Sequence, residues 1–64
     1  MLYETVKKIE DVIAEKKLDP YRTKGQIALK AGFSLSLVKA STPDDPARLT
    51  RLREAAMLVL GVAV

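Results

Sequence analysis

The sequence predicts an all-α fold: one compact four-helix domain, residues 1–64, with a helix-turn-helix-like hairpin at its centre. Three observations predict it. Apolar residues recur at spacings of three and four near both ends of the chain, as in Leu2, Val6, Ile9 and Ile13, and again in Leu49, Leu52, Ala56, Val59 and Leu60. Helix-forming residues fill Gln26–Ala31. Turn chemistry is confined to Asp19-Pro20, Gly32 and the run Ser41-Thr42-Pro43-Asp44-Asp45-Pro46.

The first helix is expected over 3–17. Its stripe is Leu2, Val6, Ile9 and Ile13, with Val12 beside it, while Lys7, Lys8, Asp11 and Glu15 face away. Glu4 and Lys8 form a favourable i,i+4 pair, and Lys16 and Lys17 suit the negative end of the helix dipole. The second helix, over 20–31, has two possible starts. Asp19 can cap with Pro20 in the first helical position, or Thr23 and Gln26 can form a capping box. Gly32 suits the left-handed position that ends a helix.

Residues 33–41 admit two readings. As a helix over 34–40, Ser34 caps and Phe33, Leu37 and Val38 turn inward. As a strand, Phe33, Leu35 and Leu37 alternate with Ser34 and Ser36, and the chain becomes α+β with a short hairpin at 26–38. The helical reading is preferred because Gln26–Ala31 is poor in strand formers. The last helix is expected over 46–60, capped by Asp45 and ended by Gly61. The first and last helices are expected to pack on each other, with the middle pair laid across them.

Composition narrows the function. Sixty-four residues allow one core, close to the lower size limit for independent stability, so self-association is the route open to extra burial. The net charge of +3 is mild and spread over both halves. Without cysteine there is no disulfide or thiolate zinc site, and without histidine the commonest metal ligand and general base are missing. No phosphate-cradling glycine loop or nucleophile elbow is present. A non-enzymatic protein is therefore expected, with no metal and no cofactor. No apolar run approaches the roughly 20 residues that span a bilayer, and no signal-peptide pattern is visible. The expectation is a cytoplasmic protein without a membrane partner.

Ala28 can be the small residue where two helices cross, Gly32 the turn four positions later, and Ile27, Ala31, Phe33 and Val38 the packing. In these positions residues 24–41 resemble the helix-turn-helix of phage-repressor-like regulators, departing at Ser41, where that family usually has an apolar residue. The resemblance implies binding to double-stranded DNA, with Ser34, Ser36, Lys39 and Ala40 near base edges, Lys24 and Gln26 near phosphates, and Arg22 and Lys30 adding sequence-independent attraction. Against a base reader, the chain has no Asn and a single Gln, and Leu35 and Leu37 cannot both be buried on one short helix with Phe33 and Val38.

The alternative is a helical protein–protein interaction or dimerisation module. It draws on Ala55–Val64, which carries no charged side chain, and in which Met57 and Leu58 fall off the helix's apolar stripe. A homodimer is expected through Met57, Leu58, Val62 and Val64.

Overall fold

The computed structural model describes residues 1–64. They form α1 (Leu2–Glu15), α2 (Pro20–Ala31), a single 3₁₀ turn (Leu35–Leu37) and α3 (Pro46–Leu60), with no strand. The hairpin at 26–38 is thereby excluded, since Gln26–Ala31 stays within α2.

Of the two starts for α2, Asp19 is the one used. Its backbone is extended and its carboxylate accepts from the Arg22 N–H at 3.1 Å, while Pro20 occupies the first helical position, where no N–H is needed. Thr23 is instead buried one turn inside the helix. All three helices are followed closely by a residue with positive φ. Gly32 (φ 84°) and Gly61 (φ 74°) end α2 and α3, and Lys17 (φ 57°) follows α1. At Lys17 the Leu18 N–H reaches back to the Ile13 carbonyl at 3.0 Å and the Lys17 N–H to Ala14 at 3.1 Å, so a lysine sits where glycine is normally favoured.

Adjacent aspartates cap two different helices. Asp45 Oδ1 accepts from the Ala47 and Arg48 N–H groups at 3.0 and 3.4 Å and starts α3. Asp44 Oδ1 accepts from the Leu2 N–H at 2.9 Å, 42 residues away in sequence, and so caps α1. Each carboxylate meets unpaired N–H groups at a positive dipole end. The pair brings the N-termini of α1 and α3 to one pole of the molecule.

Twelve buried apolar residues form one core, and Leu2, Ile9, Ile13, Ile27 and Leu52 are its largest fully buried side chains. Removing each from water is worth about 1.5–3 kcal/mol. The most extensive helix pairing is α2 with α3, not α1 with α3. Two arginines of α3 strengthen it. Arg51 Nε donates to the Ala31 carbonyl at 3.2 Å, satisfying an orphan acceptor at the end of α2, and the Arg48 guanidinium lies 5.7 Å from the Phe33 ring centroid.

The expected helix over 34–40 is reduced to one turn, Leu35–Leu37. Its bonds run to the third residue back, from Leu37 N–H to Ser34 and from Val38 N–H to Leu35. This tighter spacing buries Leu35 and Val38 and leaves Leu37 73% exposed, so Leu37 does not turn inward. Serine and threonine side chains explain why the turn stops. Ser34 Oγ does not cap but bonds Ser36 Oγ at 2.9 Å, and Thr42 Oγ1 accepts the Lys39 N–H at 2.8 Å, offering the backbone a partner other than a helical carbonyl.

Candidate interaction surfaces

The residues expected to touch nucleic acid divide into two groups. Lys24, Ser34, Ser36 and Lys39 border a crease made of two adjoining depressions between α1, α2 and the 3₁₀ turn, with Ser34 on one, Lys39 on the other, and Lys24 and Ser36 on both. Arg22 and Gln26 lie outside it, exposed on α2. Other residues also line the crease, Gly25 and Ala28 of α2 among them. Tyr21 stands at one end, and Lys7 and Glu10 of α1 form the opposite wall.

Glu10 sets the electrostatics there. Its carboxylate accepts from Lys24 Nζ at 3.0 Å and faces Lys7 Nζ at 3.4 Å. The Lys24 hydrogen bond holds the Glu10 carboxyl below its ordinary value against the opposing effect of burial, and Glu10 in turn raises Lys7, whose ammonium also lies 5.2 Å from the Tyr3 ring centroid. One anion thus serves two of the crease's three lysines, leaving Lys39 without a carboxylate partner. No local pattern marks this pairing, because Glu10 and Lys24 are 14 residues apart on different helices.

The expected dimer residues also divide. Met57 (46% exposed) and Leu58 (74%) stand on the outer face of the last turns of α3. With Ala63 and Val64 they line an open apolar depression of about 520 Å³, flanked by Arg53 and Glu54. Val62 does not line it; Val62 and Val64 are both half-buried and pack on the core, Val64 with part of its side chain in the depression. The outward residue after Gly61 is Ala63, because alternation beyond the helix turns Val62 inward. Arg53 and Glu54 were legible as flanks, since they precede Met57 and Leu58 by four residues on one helix.

No three His, Cys, Asp or Glu side chains converge to hold a metal ion, and every buried side-chain polar atom has a hydrogen-bond partner. No helix is long and apolar enough to cross a membrane. No protein-family model matches the chain, and neither a curated protein nor a solved structure is significantly similar to it.

Proposed function

We propose that this chain is a small, non-enzymatic helical interaction module, acting in the cytoplasm, that pairs with a second copy of itself through the outer face of α3. The observation that carries this reading is the depression of Met57, Leu58, Ala63 and Val64 with Arg53 and Glu54 at its edge. Neither of these two charges has an ion-pair partner within the chain. A two-fold contact is self-complementary, so Arg53 of one copy meets Glu54 of the other while the apolar side chains cover each other. Two neighbouring large side chains per copy fall short of the roughly 800 Å² per partner of a standard interface, so the dimer is of the weak, concentration-dependent kind.

Sedimentation equilibrium tests it. Association should rise with concentration, be abolished by Leu58→Glu, be weakened by Arg53→Glu alone, and be restored when Glu54→Arg is added. A chain that stays monomeric at high concentration, or dimerises equally well as L58E, removes the reading.

Contact with double-stranded DNA is the second reading, favoured by the convergence of Lys24, Ser34, Ser36 and Lys39 on one crease. It ranks lower for two reasons. Of the residues assigned to a recognition helix, only Ser36 lies in the single 3₁₀ turn, with Ser34 before it and Lys39 beyond it, and Glu10 offsets the charge beside them. Binding to arbitrary duplex at low salt that falls steeply as salt rises would support it.

A further inference from the structure

The most exposed large apolar side chains of the molecule are not on α3. They are Tyr21 (88%) and Leu29 (85%), eight residues apart on α2. That separation places them on one side of the helix, about 12 Å apart along its axis. Midway between them is Gly25, four residues from each.

Gly25 packs against nothing inside the chain, and it lines the depression beside the 3₁₀ turn with Tyr21 and Ala28. It lies in the body of α2 without positive φ, and a Cβ built on it would meet nothing within 4 Å. Alanine would serve the isolated helix better, because it removes less backbone freedom on folding. A glycine that the fold does not require, set as a notch between two exposed apolar knobs, suits the close approach of something outside the chain.

The charge of α2 says what that is. The helix carries Arg22, Lys24 and Lys30 and no acidic residue. Lys24 is engaged by Glu10, whereas Arg22 and Lys30 are exposed with no carboxylate within ion-pair distance. A second α2 would bring these cations against their own copies. A phosphate backbone would satisfy the cations and waste the apolar knobs. We infer that the Tyr21–Gly25–Leu29 face of α2 docks an amphipathic helix of a partner protein, whose apolar ridge seats at Gly25 and whose carboxylates line the side of that ridge nearer Arg22 and Lys30. This surface is separate from the α3 face, so Leu58→Glu, which breaks self-association, leaves it intact.

The test uses three designed helical peptides with one Leu/Ala ridge flanked by glutamate, glutamine or lysine, and the amide spectrum of the L58E protein. The glutamate peptide should shift the signals of residues 21–29, the glutamine peptide should bind more weakly, and the lysine peptide not at all. Gly25→Ala should raise Tm by about 4–8 °C, as expected when an exposed helix glycine is replaced in a domain of this size, and yet weaken the glutamate peptide about tenfold. Arg22→Glu with Lys30→Glu should reverse the order of the peptides. The inference is overturned if the glutamate peptide leaves residues 21–29 unshifted, if G25A binds it undiminished, or if G25A lowers Tm, which would give the glycine an internal role. It is overturned equally if duplex DNA shifts those residues and the peptides do not.

Discussion

Helix α1 buries four large aliphatic side chains, Leu2, Val6, Ile9 and Ile13, and meets solvent with Glu4, Lys7, Lys8, Asp11 and Glu15, charges of both signs. Helix α2 buries only one large side chain, Ile27, between the small residues Thr23 and Ala31, and meets solvent with Tyr21, Leu29, Gln26 and cations, with no acidic residue. The sequence of α1 is accounted for by the monomer: an apolar face inward, a mixed polar face outward. That of α2 is accounted for only in part. Its inward face is thin because α2 packs mainly on α3, where small residues such as Ala31, Ala55 and Ala56 let the two helices lie close. Its outward face answers to nothing in the chain.

Ile27→Ala tests the anchoring side of this contrast and has the largest expected effect. Ile27 is the sole large buried side chain of α2 and is fully buried. Its truncation should destabilise by about 2–5 kcal/mol, against a total of about 3–10 kcal/mol for a chain of this length. Urea titration followed by circular dichroism should show the variant partly unfolded without denaturant. A loss below about 1 kcal/mol would mean that α2 is held by its arginine contacts from α3 and not by its apolar side chain.

The two helices also differ at their C-terminal ends. Both are followed closely by a residue with positive φ, but α2 uses Gly32 and α1 uses Lys17. A side chain in that conformation costs about 1 kcal/mol. Lys17→Gly should therefore stabilise by somewhat less than this, since glycine also gains freedom when unfolded, and Gly32→Ala should destabilise by about 1 kcal/mol. Opposite signs in parallel melts are the expected result. Equal signs would show that the left-handed turn after α1 is not under strain.

How much of this was readable from the sequence depended on distance along the chain. Caps and stops are local, and Asp19-Pro20, Gly32, Asp45-Pro46 and Gly61 each act within a turn of where they stand. The stripe of α1 was legible for the same reason. The segment 33–41 was not, because its helical and strand patterns are both short, and the outcome turned on Thr42 Oγ1 capturing the Lys39 N–H. Nor were the Asp44 cap on α1 and the Glu10–Lys24 pair, which join residues brought together only by the tertiary fold. The exposed α3 residues Met57 and Leu58 were visible as departures from the helix stripe. Tyr21 and Leu29 were equally visible in principle. The signal was an apolar pair at i,i+8 around a glycine on the face opposite Ile27.

Acid should separate the polar face of α1 from the outward face of α2. Glu10 is held below its ordinary value of 4.5 chiefly by the Lys24 hydrogen bond, and Asp44 below 3.8 chiefly by the Leu2 N–H. Because both values are lowered in the folded chain, the stability they contribute is fully present above the ordinary carboxylate range. It is lost as pH falls through the lowered folded values. Melting temperature should thus decline below about pH 4.5, and Glu10→Gln should flatten the upper part of that decline. An identical acid limb in E10Q would mean that the carboxylate shared by Lys7 and Lys24 is no tighter folded than unfolded.

The smallest expected effect is the most discriminating. Tyr21→Ser and Leu29→Ser each remove a large apolar side chain, a change that costs several kcal/mol in a core. At these two positions the side chains are already almost wholly in water, so little transfer free energy is forfeited. Each variant should change stability by less than about 0.5 kcal/mol, the range of ordinary surface substitutions. Urea midpoints within that margin, from a pair of residues this apolar, would leave their presence on α2 without any cause inside the folded chain. A loss above 1 kcal/mol in either variant would tie the outward face to the fold, and the difference between α1 and α2 would then be one of packing alone.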